Sequence, residues 1–363
     1  MTLDRQLGVV GGAAVPHAPQ FFTLPDTEDH EQVARIEAEM GRIGQALREL
    51  EPDVVVIVAN DHLENYVLHC VPSFTLHCGL EAAGSFAGRD FRWPVASDTA
   101  VEVVRGLQDR AFDPAFTLTA TIGYEFGIPL TFLGFDGSIP LLPVYVNTYV
   151  APQPRSERCY AFGQALHGAF AEQGLRAVVV ASGGLSHYPG TERYSNPDVA
   201  FDEALFARLS AGNLRALVGY DDHGLDETGN VEVRSWQILA GALGERRPDR
   251  TLFEPSWHHT YGVLAWTKDS ADDRPPLHYP PFPPERLELL RALYTLRMDD
   301  DARRRFLADR PGFVADYGLA AEERAALVDL DEAALRELGV HPLLGFLARL
   351  QVDLAGPADD GKA

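Results

Sequence analysis

Apolar residues along most of the chain alternate between two spacings, one typical of buried strands and one typical of helices. The run from Val54 to Ala59 is uninterrupted and β-branched, which indicates a strand covered on both faces. Comparable runs extend from Leu7 to Val15 and from Ala177 to Ala181. Between the Leu7 and Val54 runs, apolar residues from Val33 to Leu47 recur at intervals of three and four, the period of one buried helical face. This order of strand, helix and strand predicts an α/β fold.

The same alternation returns later in the chain. Strand patterns extend from Leu141 to Val150 and from Tyr261 to Thr267, and helical patterns from Ala161 to Glu172, Asp198 to Ser210 and Glu232 to Leu243. We predict an α/β sandwich built on a central, mainly parallel or mixed sheet, although the strand order does not follow from the pattern.

A proline-rich stretch, residues 272–285, interrupts this pattern. Its six prolines cannot continue a helix or a central strand, so we predict a linker there and a catalytic domain over residues 1–271. Residues 286–355 show five short helical patterns and no strand pattern, which predicts a small all-α module. The last residues, 356–363, are small and polar and are expected to be disordered.

Composition excludes some classes of partner. The chain has 53 acidic and 31 basic residues, a net charge of -22 that repels nucleic acid and anionic membrane surfaces. No apolar stretch approaches the ~18 residues of a membrane span, and the amino terminus lacks a signal-peptide pattern, so we expect a cytoplasmic protein. The three cysteines include no Cys-x-x-Cys pair, which disfavours disulfides and a zinc ribbon, and we expect Cys70 and Cys78 to be buried.

Polar residues with metal-binding side chains follow the strand patterns. His17, His62 and His187 each come shortly after a predicted strand, and Glu232 opens an apolar helix. The ends of strands are where α/β sheets place their sites. Two imidazoles and one carboxylate with open coordination positions form the facial arrangement that non-haem Fe(II) uses to handle oxygen. The chain is therefore predicted to be an enzyme.

Each of these residues has an ordinary alternative when taken alone. His17 lies between two prolines and suits a hydrogen-bonded loop histidine. Asn60 and Asp61 suit a turn or a helix cap, and Glu232 suits the favourable position of an acid at a helix amino terminus. Neither His-Glu-x-x-His nor Gly-x-Ser-x-Gly occurs, so zinc-peptidase and α/β-hydrolase mechanisms lose their usual support.

Five short motifs, in this order and spacing, resemble the class III extradiol dioxygenases, the superfamily of the protocatechuate 4,5-dioxygenase β subunit. The similarity extends from about Gly8 to Thr267. It is carried by Pro16-His17-Ala18-Pro19, Asn60-Asp61-His62, Gly184-Leu185-Ser186-His187, Asn196-Pro197-Asp198 and the helix from Glu232 to Leu243.

The resemblance implies a role for each site residue. In that family two histidines and a late glutamate bind iron, which implies His17, His62 and Glu232 as Fe(II) ligands, and His187 as the acid/base group. The substrates would be O2 and a catechol-type diol such as protocatechuate or gallate, and the product a semialdehyde acid. Many members carry an Asp-His-Gly motif near the substrate, but here Tyr124 takes the histidine's place. Tyrosine, with an ordinary pKa of about 10, is a poor base near pH 7, so the identity of the diol is open.

The tail resembles the small α-helical subunit of protocatechuate 4,5-dioxygenase, through Phe306-Leu307-Ala308-Asp309, Asp316-Tyr317-Gly318-Leu319 and His341-Pro342-Leu343-Leu344. This implies a fused lid domain over the active site and a homodimer. The alternative is that the tail only buttresses the sheet.

Two other functions remain open on the same residues. One is a metal-dependent hydrolase in which a bound hydroxide reacts in place of oxygen, and the other is a non-catalytic binding module. If the dioxygenase reading holds, Asn60 and Asp61 are candidates for orienting His62. Arg89, Arg92 and Trp93 precede Pro94 and could meet an anionic, planar substrate, but we expect a solvated loop there.

Overall fold

The chain divides into two units, Met1–Arg274 and Pro275–Ala363. This computed structural model describes residues 6–268 and 278–356. Residues 269–277 and 357–363 lie outside the described residues; they include the first six residues of the predicted linker, 272–277, and nearly all of the predicted disordered tail. Their boundaries stay predictions, as does the lid role of the carboxy-terminal unit.

The first unit is built on a mixed sheet with a parallel centre, as the sequence predicts. Among the described residues, eight strands form this sheet in the order β6-β3-β7-β2-β8-β1-β10-β9, and β4 pairs with β5 separately. Strands β7, β2, β8 and β1 are parallel, whereas β3 and β10 run antiparallel to their central neighbours. The strands are β1 Gly8–Val15, β2 Val54–Ala59, β3 Phe74–His77, β4 Glu81–Phe86, β5 Arg89–Pro94, β6 Ala115–Thr117, β7 Leu141–Val146, β8 Arg176–Ser182, β9 Arg250–Pro255 and β10 Thr260–Trp266.

Strand β8 lies between β2 and β1, although both precede it in the chain. Its residue Ala181 pairs with Val58 of β2 on one side and with Ala14 of β1 on the other. The carboxyl ends of the three strands are therefore level, and the chain segments that follow them leave the same edge of the sheet. Such an edge is where parallel sheets gather functional side chains.

Helices cover both faces of the sheet. One core layer joins the sheet to α3, α5, α6 and α8, and the other joins it to α1, α2 and α4. Helix α8 is buried along its whole length, which explains why its sequence is almost free of charge. The helices are α1 Gln20–Thr23, α2 His30–Glu49, α3 Ser97–Gln108, α4 Tyr124–Phe132, α5 Ser156–Glu172, α6 Val199–Ser210, α7 Asp222–Glu227 and α8 Val233–Leu243, with a 3-10 helix at Leu214–Gly219.

Arg89 and Arg92 do not lie in a loop, contrary to the sequence-based expectation. They belong to β5, which forms a hairpin with β4. The two strands are joined by Ala87 and Gly88, both with positive φ, 50° and 74°. Two such residues make the turn whose twist matches that of a hairpin. Arg92 forms an ion pair with Glu81 at 2.7 Å, so the strand carries charge on its exposed face.

The second unit is helical, as predicted. The five predicted helices are present, and the described residues add Arg310–Ala315, which the sequence pattern did not indicate. Leucine and phenylalanine side chains, among them Leu293, Phe306 and Leu327, form a core of its own. The helices are α9 Leu287–Met298, α10 Asp300–Ala308, α11 Arg310–Ala315, α12 Ala321–Asp329, α13 Glu332–Glu337 and α14 Pro342–Ala355, preceded by a 3-10 helix at Pro284–Arg286.

Two expectations from composition have a structural outcome. Within the described part of the chain, none of the helices combines the length and apolar character needed to cross a bilayer. All three cysteines are free, as expected, but Cys70 is exposed, whereas Cys78 and Cys159 are buried. The expectation of a buried thiol was therefore wrong for Cys70.

Candidate metal centre

The level strand ends bring the predicted metal ligands together. His17 lies two residues after β1, and His62 three residues after β2. Glu232 precedes the first residue of α8, and its side chain does not cap that helix but extends toward the two histidines. Among the described residues, these three side chains form a cluster of potential metal ligands, and their ligand atoms all lie within 4.8 Å of one another.

The carboxylate oxygen Oε1 of Glu232 lies at the centre of this group. It is 3.4 Å from Nε2 of His17, 3.3 Å from Nε2 of His62 and 3.5 Å from Nε2 of His187. Glu232 and His17 are almost completely buried. A buried carboxylate requires positive charge or hydrogen-bond donors around it. The site is therefore built around one anionic oxygen.

The hydrogen bonds of Ser182 fix the protonation of His17. The Ser182 hydroxyl donates to the Glu125 carbonyl at 2.5 Å, so its oxygen must accept from Nδ1–H of His17 at 2.8 Å. A neutral imidazole with its proton on Nδ1 has a lone pair on Nε2. The nitrogen of His17 that faces Glu232 therefore carries the lone pair that a metal ion needs.

His62 is oriented in a similar way, but by a carboxylate. Its Nδ1 lies 3.5 Å from Oε2 of Glu125, which leaves Nε2 directed at Glu232. The backbone reaches this position through two residues of positive φ, His62 at 39° and Leu63 at 63°. Left-handed conformations of non-glycine residues cost on the order of 1 to 3 kcal/mol each and persist where surrounding structure imposes them. Backbone strain is thus concentrated at His62 and Leu63.

The three ligand atoms need a cation between them. Two nitrogen lone pairs and a carboxylate oxygen that face one another repel unless a proton or a metal ion lies among them. Without a metal, burial lowers the pKa of His62, but Glu125 and Glu232 outweigh burial and raise it to about 10. Burial raises the pKa of the Glu232 carboxyl, yet His17 and His187 hold it well below its usual value. The donor set of two imidazoles and one carboxylate therefore fits a divalent metal such as non-haem iron.

Neighbouring groups hold Glu232 in place. Its Oε2 accepts from the Gly184 backbone N–H at 2.8 Å, and its Oε1 accepts from the Asn60 amide at 3.1 Å and from the Tyr149 hydroxyl at 3.0 Å. A side chain at Gly184 would place its Cβ 1.8 Å from Nε2 of His259. Glycine is needed at this position because both the carboxylate and an imidazole approach the backbone closely.

His187 lies beside the candidate metal ligands, and its Nε2 is the ring nitrogen that could take part in proton transfer. Its Nδ1–H donates to the Leu185 carbonyl at 2.8 Å, and its Nε2 lies 3.1 Å from the Tyr149 hydroxyl. The His259 ring stacks on it, with centroids 4.1 Å apart. The loop is fixed by Asp202, whose carboxylate accepts from the Ser186 backbone at 3.1 Å. Because the Tyr149 hydroxyl donates to Glu232, it can only accept from His187, and it does so when Nε2 carries a proton. A fixed imidazole whose Nε2 can lose and regain that proton is suited to acid/base work.

Tyr124 begins α4 and faces the same site. Its ring stacks on His62 with centroids 4.8 Å apart and lies 5.9 Å from the ring of His17. Burial raises the pKa of the Tyr124 hydroxyl above its ordinary value, and the charges of Glu232 and Glu125 raise it further. The hydroxyl is therefore a hydrogen-bond donor and not a base at neutral pH.

These side chains line a pocket of about 120 Å³. Its inner wall contains the ligand set together with Tyr124, Tyr149 and His187. The lining also includes Gln20, Tyr194 and His258, which we call the outer wall of the pocket. The pocket is thus large enough for one aromatic ring beside the ligands.

Sequence reasoning missed several residues of the site. Asn60 donates to Glu232, and Asp61 accepts from backbone groups of the following turn, so neither orients His62 as expected. Glu125 lies against His62 instead. Tyr149 follows β7, and the strand-end rule that identified the histidines would have found it had the strand been predicted to end at Val146.

Comparison with known proteins agrees with this geometry. The family model described as "Catalytic LigB subunit of aromatic ring-opening dioxygenase" matches residues 11–265, more than half of the chain. The 2,3-dihydroxyphenylpropionate/2,3-dihydroxicinnamic acid 1,2-dioxygenase of Klebsiella pneumoniae is 29% identical over 192 residues, 52% of this chain and 60% of that protein. The protein of the same name from Paraburkholderia xenovorans is 25% identical over 283 residues, 62% of this chain and 90% of that protein.

The matched segment spans about 60% of the Klebsiella pneumoniae relative. The solved structure of the uncharacterized protein JW3007 from Escherichia coli K12 has a TM-score of 0.47 at 14% identity and covers 70% of this chain and 99% of that chain. At this TM-score and identity, the likeness does not support any assignment of fold or function. The family match rests on the extent of the model from residue 11 to 265, which includes every residue of the candidate metal centre. The chain belongs to the LigB family, that of the catalytic subunit of aromatic ring-opening dioxygenases.

Proposed function

We propose that this protein is a non-haem Fe(II)-dependent extradiol dioxygenase that opens the ring of a catechol-type diol with O2 to give a semialdehyde acid. The observation that supports it most is the convergence of two imidazole nitrogens and one carboxylate oxygen beside a third imidazole, all in one pocket. Membership of the LigB family supports the class of reaction. The diol itself is left open by both.

His17, His62 and Glu232 would hold the iron, because their ligand atoms already face one point. When bound, the iron supplies a centre that holds diol and dioxygen side by side and makes one diol hydroxyl easier to ionise. Ser182 and Glu125 keep the two imidazoles oriented with Nε2 toward that point. Such outer partners commonly matter to metal affinity almost as much as the ligands do.

His187 would move the proton of the second diol hydroxyl. Because its Nδ1–H is committed to the Leu185 carbonyl, Nε2 is the atom that accepts the proton and later returns it to the opening ring. The Tyr149 hydroxyl lies 3.1 Å from this nitrogen and 3.0 Å from Glu232, so it fixes the distance between the proton carrier and the ligand. Proton transfer and metal binding are in this way held in one hydrogen-bonded unit.

Tyr124 would place the diol and not deprotonate it. Its raised pKa keeps the hydroxyl protonated, and its ring closes one side of the pocket against His62. A phenol in this position donates one hydrogen bond to an oxygen of the substrate or of dioxygen. The role of general base therefore falls to His187.

Oxygen uptake tests this proposal directly. Protein loaded anaerobically with Fe(II) is mixed with air-saturated buffer and a set of diols, namely catechol, protocatechuate, gallate and their alkyl or amino analogues. We expect oxygen consumption in step with a yellow ring-opened product. Protein that holds stoichiometric iron and consumes no oxygen with any diol would contradict the proposal. Turnover of an ester or amide by zinc-loaded protein without oxygen would favour a hydrolase.

A further inference from the structure

The outer wall of the pocket differs chemically from what a ring carboxylate requires. We propose that the pocket selects diols whose ring substituent is uncharged and hydrogen-bonding, and that it discriminates against ring carboxylates. This inference rests on the proposed function, because the metal centre would hold the two hydroxyls and leave the substituent to the outer wall. It concerns Gln20, Tyr194 and His258.

Among its described residues, the outer wall has no permanently cationic side chain. Among the described residues that line the pocket, none is lysine or arginine. Enzymes recognise carboxylates most often through arginine, whose guanidinium matches both oxygens. His258 is the basic side chain of the outer wall, but its Nε2 lies 3.2 Å from Oε2 of Glu28, and both side chains are nearly fully buried. Any positive charge on His258 is therefore already balanced.

The arginine next to the wall is also committed. Arg193 precedes Tyr194 in the chain, but its guanidinium donates to the Glu227 carbonyl at 2.7 Å and lies 3.3 Å from the Glu227 carboxylate. The same group lies over the Tyr188 ring, 4.1 Å from its centroid. These three contacts occupy the Arg193 guanidinium, so it does not bind a substrate carboxylate in this arrangement.

A ring carboxylate at the outer wall would therefore lose its water without gaining a cationic partner. An uncharged substituent avoids this cost.

The outer wall does offer hydrogen bonds. The Gln20 amide nitrogen donates to the Tyr194 hydroxyl at 3.2 Å, and the Gln20 carbonyl oxygen is buried without a partner among the described residues. A donor on the substrate would give this buried amide oxygen a hydrogen-bond partner. Tyr194 stacks on His258, with centroids 5.4 Å apart, and so presents a fixed aromatic edge. An amide or hydroxyl substituent fits this wall.

A matched pair of substrates tests the inference. 3,4-Dihydroxybenzamide and 3,4-dihydroxybenzoate have nearly the same shape and differ in charge. We expect kcat/KM of the Fe(II)-loaded protein to favour the amide by about tenfold or more. The same order is expected in anaerobic binding to zinc-loaded protein, measured as Kd by calorimetry, which needs no turnover. A carboxylate that binds and reacts as well as the amide would overturn the inference and leave the proposed function standing.

A charge-introducing variant locates the effect. Gln20→Arg places a cation on the outer wall, and we expect it to raise kcat/KM for the benzoate about tenfold relative to the amide. Gln45→Arg is the matched control, because Gln45 is exposed on α2 and bonds only Glu49, at 3.1 Å, among the contacts described. Equal effects of the two variants would overturn the assignment to the outer wall. Failure of every diol to bind or react would overturn both proposals together.

Discussion

Replacing Ser182 with alanine tests the link between a tautomer and metal affinity. The Ser182 hydroxyl accepts from Nδ1–H of His17 and donates to the Glu125 carbonyl. Without it, the buried Nδ1–H has no acceptor at that position. The neutral ring then favours the other tautomer, in which Nε2–H donates to Glu232 across the present 3.4 Å separation. That hydrogen bond must break before a metal can bind.

The expected loss of affinity follows from the role of outer partners. Removing such a partner commonly lowers metal affinity by roughly 10- to 100-fold, or about 1.4 to 2.8 kcal/mol at 1.4 kcal/mol per tenfold. The free energy of unfolding should also fall, by about 1 to 3 kcal/mol, since buried hydrogen-bonding groups lose their partner. Fe(II) or Zn(II) affinity is measured by competition with a coloured chelator, and stability by denaturant unfolding of the metal-free protein.

Ser156→Ala is the matched control. Ser156 is also a buried serine that both donates, to the Tyr220 carbonyl at 2.6 Å, and accepts, from the Gln237 amide at 3.0 Å. It does not line the pocket. We expect both variants to lose stability and only Ser182→Ala to lose metal affinity. Wild-type affinity in Ser182→Ala, or an equal loss in both variants, would refute the tautomer argument.

Three further predictions concern the same site. His187→Ala should keep its iron and lose turnover, whereas His17→Ala should lose the iron; full iron occupancy of the His17 variant, measured by elemental analysis, would contradict the ligand assignment. Metal affinity should rise with pH from 6.5 to 8.5, because the metal displaces the proton that His62 holds with its pKa raised to about 10; a flat chelator titration would contradict this. Tyr149→Phe removes the hydroxyl between Glu232 and His187 and should lower kcat roughly 10-fold or more with little change in iron content; an unchanged kcat would exclude a role in proton transfer.

The central strands were predictable because burial on both faces leaves a simple signature. Strand β2 has the predicted bounds, Val54–Ala59, and β8 extends the predicted run by one residue at each end. Both strands are buried along their whole length, so neither sequence needs a polar face. The strand order did not follow from the sequence, because the insertion of β8 between β2 and β1 depends on contacts between residues more than a hundred positions apart.

The β4–β5 hairpin escaped prediction for a local reason. Its turn has Ala87 in a left-handed conformation that asparagine or aspartate usually adopts, so the familiar turn signal is absent. Charged residues such as Arg92 also mask the strand, because their partner Glu81 lies across the hairpin. Both features can be recognised only from the pairing of the two strands in the structure.

The grouping of the site's side chains was predictable where they follow strands and not where it depends on tertiary contacts. His17, His62, Glu232 and His187 follow or precede elements that the pattern indicated, and the structure brings all four together. Tyr149 was hidden because the predicted strand continued past the real end of β7. The contacts of Glu125 and Ser182 come from elements far apart in sequence, which no local pattern encodes.

The position of β8 sets the order in which this protein becomes able to hold a metal during synthesis. His17 and His62 follow strands that are not neighbours, and the gap between those strands, roughly 10 Å for two strand spacings, belongs to residues 176–182. A growing chain that has not yet reached these residues carries both histidines but neither the strand that sets their separation nor the glutamate at position 232. Metal binding by these residues would therefore require nearly the whole first unit to be folded, because a shorter chain offers two separate histidines instead of a cluster.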